Sequence, residues 1–182
     1  MTRASTSDPE LPPGVRRLPL ACHHDGRGLL FEAYRESFAA GFRPVQWNVV
    51  ASNAGVLRGV HAHAVHHDYL LVLTGFALVG LKDLRPDAAI DGPGVVVKLP
   101  GDAPCALIIP PGVAHGFYFP ERSLHTYAVS HYWDPDDEMG CRWDDPDLAI
   151  PWPRIRPSLS DRDASAGSLA ELREGLSRRW VG

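Results

Sequence analysis

The fold of this chain is decided by the stretch Gly55–Gly75, GVLRGVHAHAVHHDYLLVLTG. Its residues are mostly apolar, many are β-branched, and glycines stand at both ends, a composition typical of strands joined by turns. His61 and His63 lie two residues apart, so in a strand both imidazoles project from one face. Arg58 precedes them. The stretch therefore places a fixed positive charge beside two side chains that can transfer protons or bind a metal.

A further histidine follows a predicted turn. Pro110, Pro111 and Gly112 form this turn and lead His115 into the next apolar run. Two histidine-bearing strands on opposite sides of a barrel can share a pocket, although His115 can also simply satisfy a buried backbone group. Four other histidines fall in predicted loops, where we expect solvated side chains: His23, His24, His66 and His67.

Short apolar runs separated by Gly, Pro, Asn and Asp extend from Pro44 to about Tyr132. We predict strands at VQWNVVAS, VLRGVHAH, HDYLLVLTG, FALVGLKDL, GVVVKL, CALIIP, HGFYF and LHTYAVSHYW. Many short strands at close spacing indicate an antiparallel sandwich or barrel. The sequence therefore predicts an all-β fold.

Two helices are predicted outside the strand region. Phe31, Tyr34 and Phe38 have the spacing of an amphipathic helix that ends at Gly41. Near the C-terminus, Ser168 and Glu171 form a capping box ahead of a second amphipathic helix.

Length and composition favour one domain. With 182 residues and 45% hydrophobic content, we expect a flexible arm over residues 1–14 and a single domain over residues 15–182. A net charge of -4 without Lys/Arg clusters argues against nucleic-acid or membrane partners. Without a signal-like or membrane-spanning segment, the prediction is a cytoplasmic protein. Cys22, Cys105 and Cys141 lack paired spacing, so we expect free thiols.

Seven motifs stand in one order along most of the chain: Asp25-Gly26-Arg27-Gly28, Gln46-Trp47-Asn48, Gly55-Val56-Leu57-Arg58-Gly59-Val60-His61, Asp83-Leu84-Arg85, Pro110-Pro111-Gly112-Val113-Ala114-His115-Gly116-Phe117, Trp143-Asp144-Asp145-Pro146 and Leu159-Ser160-Asp161-Arg162-Asp163. Together they resemble the nucleotide-sugar 3,5-epimerases of the cupin superfamily, typified by dTDP-4-dehydrorhamnose 3,5-epimerase. The resemblance implies a double-stranded β-helix (cupin) jelly roll, a homodimer with exchanged N-terminal strands, a small-molecule nucleotide-sugar substrate, no organic cofactor and no metal.

The resemblance also implies roles for individual residues. His61 stands at the position of the catalytic base, and Asp163 at that of the aspartate that orients it, with Asp161 the weaker candidate. The implied substrate contacts are Arg58 and Arg27 for the diphosphate and sugar, and Gln46 and Asn48 on the nucleotide side. His63 and His115 are further candidate substrate contacts, because the two histidine-bearing strands can share a pocket. A guanidinium suits phosphate oxygens, and an imidazole paired with aspartate is held in one tautomer with raised basicity.

Two family residues are replaced in this chain. Asp68 occupies the place of a lysine that would steady an enolate oxygen, and Trp133 occupies the place of a catalytic tyrosine before Pro135. Tyr132 is one residue away and faces the other side in a regular strand, but a bulge would turn it inward. Tyr132 is therefore the predicted proton donor. Inversion at C3 alone or C5 alone is as consistent with these replacements as inversion at both carbons.

Three other functions stay open at this point. The run Arg58-Gly59-Val60-His61-Ala62-His63 resembles sugar 3,4-ketoisomerases of the cupin class. The set His61, His63, Asp68 and His115 has the spacing of a cupin metal site, with aspartate for the usual glutamate. A sugar-nucleotide binding module with a decayed catalytic set would also tolerate the two replacements.

Overall fold

The computed structural model describes residues 9–38, 40–88 and 92–180. Its strands are β1 (Arg16–Pro19), β2 (Cys22–Asp25), β3 (Gly28–Phe31), β4 (Gln46–Ser52), β5 (Val56–Ala62), β6 (Asp68–Thr74), β7 (Phe76–Asp83), β8 (Val95–Pro100), β9 (Cys105–Ile109), β10 (Val113–Phe119), β11 (Ser123–Val129) and β12 (Met139–Gly140). Its helices are α1 (Asp161–Ala164) and α2 (Leu169–Arg179), with 3₁₀ turns at Glu36–Phe38 and Pro146–Leu148.

The strands form two five-stranded sheets and a hairpin. The first sheet has the order β1-β9-β6-β11-β4, the second has the order β12-β5-β10-β7-β8, and β2 pairs only with β3. Neighbouring strands are antiparallel but mostly not consecutive in the chain, because the chain crosses from one sheet to the other. The predicted all-β jelly roll is confirmed.

Apolar side chains from both sheets meet between them. The first sheet contributes Leu70, Val72, Leu107 and Ile109, and the second contributes Val79, Leu81 and Phe119. On β6 the side chains of Leu70 and Val72 share a face with Asp68, two residues before Leu70. The face of β6 that points between the sheets is therefore apolar, except for the carboxyl group of Asp68 at the start of the strand.

The C-terminal segment covers the outer face of the second sheet. Leu169, Leu172 and Leu176 of α2 pack against a buried cluster that includes Val60 and Ala114. The predicted capping box is present, since Ser168 accepts a hydrogen bond from the Glu171 N–H and Glu171 accepts one from the Ser168 N–H. Thus α2 is fixed by its cap and by burial of its apolar face.

A bulge in β5 orients the residues that the sequence analysis singled out. His115 pairs with His61 and Phe117 pairs with Arg58, so three steps on β5 oppose two on β10. Gly59 lies inside this bulge with φ of 107°, and a Cβ there would come within 2.8 Å of the His115 carbonyl oxygen. Arg58 and His61 would point to opposite faces of a regular strand, but the extra residue directs both inward.

The eight predicted strands between Pro44 and Tyr132 correspond to β4–β11. The predicted helix over Phe31–Phe38 is wrong, because Phe31 pairs with Cys22 in the hairpin and only the turn at Glu36–Phe38 is helical. Of the predicted arm, residues 1–8 lie outside the described residues, whereas Leu11 packs against the inter-sheet core. None of the described helices has the length and apolar content needed to cross a bilayer.

Candidate active site

A cavity of about 270 Å³ opens between the two sheets and collects most of the predicted site residues. Its walls come from strands β4, β5, β6, β10 and β11 and from the C-terminal segment: Val50, Arg58, His61, His63, His66, Asp68, His115, Phe117, His125, Tyr127, Trp133, Glu138, Ser160, Arg162 and Asp163. A larger groove of about 760 Å³ near Trp180 is lined by no histidine. We therefore place the candidate active site in the smaller cavity.

His61 and Asp163 form a hydrogen-bonded pair at the cavity wall. His61 Nε2 lies 2.7 Å from Asp163 Oδ1, although the residues are 102 positions apart. Burial would raise the pKa of Asp163, but the hydrogen bond from His61 and the Gly59 N–H lower it overall. The carboxylate thus stays charged and accepts the Nε2 proton, so Nδ1 of His61 is left as the basic nitrogen.

Asp163 is itself held by the start of α1. Its N–H donates to the Ser160 hydroxyl, which caps the helix, and its second carboxylate oxygen accepts a hydrogen bond from Gly59 N–H at 3.3 Å. Ser160 and Asp163 therefore stand in the arrangement of an N-cap and an acidic residue in the first turn. This short helix fixes the carboxylate against the bulge that carries His61.

Arg58 supplies positive charge to the same cavity. Its Nε donates to the Ser52 hydroxyl at 3.0 Å, and among the described residues it makes no ion pair. A half-buried guanidinium without a carboxylate partner is suited to bind an anionic group of a ligand, such as a phosphate.

Three histidines surround the carboxylate of Asp68. Their Nε2 atoms lie 4.0 Å (His63), 3.7 Å (His66) and 3.9 Å (His115) from Asp68 Oδ2. Burial raises the pKa of Asp68 well above its usual range, and Glu138 and Asp137 raise it further. Burial lowers the pKa of His115 to about 3 and that of His63 well below its ordinary value. These histidines are therefore neutral at physiological pH.

Several predicted residues do not line the cavity. Tyr132 is 75% exposed and lies outside it, whereas the adjacent Trp133 lines it, so the bulge that would have turned Tyr132 inward is not seen. Arg27 lies on the exposed β2–β3 hairpin and is bonded to Asp25. Gln46 and Asn48 bond to each other beside the cavity rather than in its wall, and Gln46 accepts the Trp133 N–H.

His66 and Tyr127 are among the cavity residues that the sequence analysis did not assign to the site. His66 is only 4% exposed, contrary to its expected place in a solvated loop, because it packs on the ring of His63 at 3.8 Å between centroids. His66 lies two residues before Asp68, and in an extended segment this spacing places both side chains on the same face. Tyr127 lines the cavity from β11, and the alternation of that strand puts it on the same face as His125.

The fold and the site together define a class of protein. A β-barrel cavity with an aspartate-paired histidine and an arginine free of any carboxylate among the described residues is the site of an enzyme that moves protons on an anionic small molecule. The sequence model of the dTDP-4-dehydrorhamnose 3,5-epimerase family matches residues 12–171. The chain belongs to this family.

Individual relatives agree with this assignment. The chain is 33% identical to a dTDP-4-dehydrorhamnose 3,5-epimerase of Mycobacterium tuberculosis, covering 92% of this chain and 90% of the relative. The 3,5-epimerase of Legionella pneumophila in complex with dTDP-4-keto-L-rhamnose has a TM-score of 0.84 at 28% identity, covering 93% and 95% of the two chains. A 3'-monoepimerase of Streptomyces bikiniensis in complex with dTDP-quinovose has a TM-score of 0.82 at 30% identity, covering 94% and 91%.

Proposed function

We propose that this protein epimerises a nucleotide-linked 4-keto-6-deoxyhexose at C3, at C5 or at both carbons, in deoxysugar biosynthesis. The observation that carries the proposal is the hydrogen-bonded His61–Asp163 pair, which lines a cavity that Arg58 also lines. The comparisons favour this function over the 3,4-ketoisomerase and over the metal-dependent cupin built on His61, since the relatives are epimerases. In the structure His61 bonds to Asp163, whereas the contacts of Asp68 at 3.7–4.0 Å are with His63, His66 and His115.

The chemistry follows from the ketone at C4, which acidifies the hydrogens on the neighbouring carbons. His61 removes one of these protons and becomes an imidazolium, which the charge of Asp163 stabilises. The electrons of the broken C–H bond move onto the ketone oxygen and give an enolate. Return of a proton to the opposite face of the carbon inverts it, and Arg58 holds the substrate's diphosphate during both steps.

Tyr127 is our candidate for the second proton transfer. It lines the cavity from β11 of the first sheet, whereas His61 comes from β5 of the second sheet, so the two side chains approach a bound sugar from opposite walls. Burial raises the pKa of Tyr127, so its phenol keeps a proton to donate. In this role Tyr127 takes the place that the sequence analysis gave to Tyr132.

We further propose that the active form is a homodimer in which the β2–β3 hairpin reaches the partner's cavity. Leu30 on this hairpin is 64% exposed, and the edge strand β4 exposes Trp47 and Val49, at 43% and 68%. Exposed apolar side chains on an edge strand favour association. Exchange of the hairpin would bring Arg27 to a site that it does not reach within one chain.

Deuterium exchange tests the reaction. The protein is incubated in heavy water with dTDP-4-keto-6-deoxyglucose, and proton NMR follows C3 and C5. Uptake with inversion at both carbons identifies a 3,5-epimerase, and uptake with inversion at one carbon identifies a single-site epimerase. Movement of the ketone from C4 to C3 would instead identify the ketoisomerase, and binding of the nucleotide without exchange would identify a binding module.

The same assay tests Tyr127. In Tyr127→Phe, His61 still removes a proton and returns deuterium to the same face. We therefore expect exchange with retained configuration, and inversion slowed by about 100-fold. Tyr132→Phe is the matched control and should behave as wild type. Equal inversion in both variants would contradict the assignment.

Mixed dimers test the hairpin exchange. Arg27→Ala and His61→Asn chains are each expected to be inactive, and each heterodimer then contains one intact site. Refolding equal amounts together should restore roughly a quarter of wild-type activity by random assortment of identical subunits. An absence of recovery, or a monomer mass by light scattering, would contradict the exchanged dimer.

A further inference from the structure

We propose that His63, His66, Asp68 and His115 bind one divalent transition-metal ion, in contrast to the metal-free site that the family resemblance implies. Each of these residues is at most 5% exposed. The three imidazole Nε2 atoms lie 3.7–4.0 Å from the same carboxylate oxygen. The ligand atoms of His63, His66 and Asp68 all lie within 4.8 Å of one another, and His115 Nε2 lies 3.9 Å from the same carboxylate oxygen. Ligand atoms about 2.1 Å from a tetrahedral ion stand roughly 3.4 Å apart, so the four side chains draw together when the ion binds.

The second nitrogen of each histidine is held as in metal sites. Nδ1 of His63 bonds to the Asp137 carbonyl oxygen at 3.0 Å, and Nδ1 of His115 bonds to the Val113 carbonyl oxygen at 3.0 Å. Nδ1 of His66 lies 3.3 Å from a carboxylate oxygen of Asp137. Nδ1 of His63 and of His115 thus bonds to a carbonyl oxygen and Nδ1 of His66 lies beside a carboxylate, which leaves each Nε2 on the side of Asp68, as in metal-ligating histidines.

The alternative is a set of core side chains joined by hydrogen bonds. The contacts of 3.7–4.0 Å are longer than hydrogen bonds, so none of the imidazoles is bonded to Asp68. Three nitrogen lone pairs facing a carboxylate repel one another without a cation between them. A cation between the three nitrogens and the carboxyl group of Asp68 would supply the contacts that hydrogen bonds do not make here.

The donor set selects the class of ion. Three imidazoles and one carboxylate suit Zn²⁺, Fe²⁺, Co²⁺ or Ni²⁺, whereas Mg²⁺ and Ca²⁺ prefer oxygen ligands alone. His61 is outside the set because Asp163 holds it, and His66 takes its place. The site is therefore defined by the tertiary arrangement and differs from the set that the sequence spacing suggested.

The ion would lie in the same cavity as the catalytic base. An enolate oxygen carries negative charge, and a metal ion bound at Asp68 would stabilise that charge as a Lewis acid. This role rests on the proposed epimerase function, and it would replace the lysine whose position Asp68 occupies. The binding of the ion itself does not depend on that function.

A cobalt titration of the full chain tests the site. After treatment with a chelator, Co²⁺ is added and followed by calorimetry and by visible ligand-field absorption. We expect one Co²⁺ per chain, with affinity at least about tenfold weaker in His66→Asn and in Asp68→Asn. The control His24→Asn removes an exposed histidine of the hairpin and should bind as wild type. Thermal unfolding curves check that each variant is folded.

Either of two results would overturn the proposal. One is an absence of stoichiometric Co²⁺ binding to the wild-type chain, which does not depend on the folding of any variant. The other is unchanged binding in both His66→Asn and Asp68→Asn. Because the titration contains no nucleotide sugar, its outcome is separate from that of the epimerisation assay.

Discussion

Two groups of histidine and aspartate share one cavity but differ in their spacing. His61 and Asp163 are 2.7 Å apart and hydrogen bonded, whereas Asp68 is 3.7–4.0 Å from each of three imidazoles and bonded to none of them. The short contact fixes the tautomer of His61, as its proposed role as the catalytic base requires. The longer contacts leave the space that the proposed metal ion would occupy. The same residue types thus support two kinds of chemistry, and distance distinguishes them.

The largest loss of activity should come from replacing His61, the proposed base of the hydrogen-bonded pair. In His61→Asn, nothing at this wall of the cavity accepts the substrate proton, so we expect turnover and deuterium uptake to fall by about 1,000-fold. Circular dichroism should show an intact fold, because His61 is only partly buried. If His61→Asn keeps more than a tenth of the activity, the His61–Asp163 pair does not provide the base, and the proposed difference between the two groups is wrong.

A smaller loss should follow from removing the orienting carboxylate. Asp163→Asn keeps the size of the side chain but loses the charge that stabilises the imidazolium and the tautomer. We expect kcat to fall by about 100-fold with little change in KM. Asp161→Asn is the matched control, since Asp161 is exposed and lies two residues away. Equal effects in both variants would place the orienting role elsewhere.

Metal binding to Asp68 and its three neighbouring histidines should increase the stability of the folded protein. At a Co²⁺ concentration of about 100 times Kd, the ion should raise the free energy of unfolding of wild type by about 2.7 kcal/mol. Asp68→Asn, with its weaker affinity, should lose about half of this gain or more. His61→Asn should keep the gain, because His61 is not a ligand. Chemical unfolding with and without Co²⁺ measures both. If His61→Asn also loses the stabilisation by Co²⁺, His61 takes part in metal binding and the two groups form one site.

His125 belongs to neither group, and its Nδ1 is buried without a hydrogen-bond partner among the described residues, so it should give the smallest effect. Burial and the nearby charge of Arg58 lower its pKa to about 4, from 6.5 in the unfolded chain. The unfolded chain therefore takes up the proton first as pH falls, and the stability contributed by neutral His125 is lost between pH 6.5 and about 4.

At pH 5 this loss amounts to about 2 kcal/mol relative to pH 8. His125→Leu should remove that share of the pH dependence. Urea unfolding at the two pH values compares the variant with wild type. An identical loss of stability in both proteins would show that His125 does not carry it.

Much of the fold could be predicted from the local sequence pattern. The eight central strands were predicted because alternating apolar runs and Gly/Pro turns act over a few residues, and the same holds for the capping box of Ser168 and Glu171. The hairpin β2–β3 was not predicted, because the spacing of Phe31, Tyr34 and Phe38 also fits a helix. Strand pairing with Cys22 overrode that periodicity.

The sequence by itself determined the jelly-roll class and, through the family motifs, the pairing of His61 with Asp163. Tertiary structure alone decided which way the other side chains face. An extra residue at Gly59 turns Arg58 and His61 to one side, and burial of His66 completes a group around Asp68. A strand's side-chain direction changes with every inserted residue, so bulges and loop packing, which depend on distant partners, set the contents of the cavity.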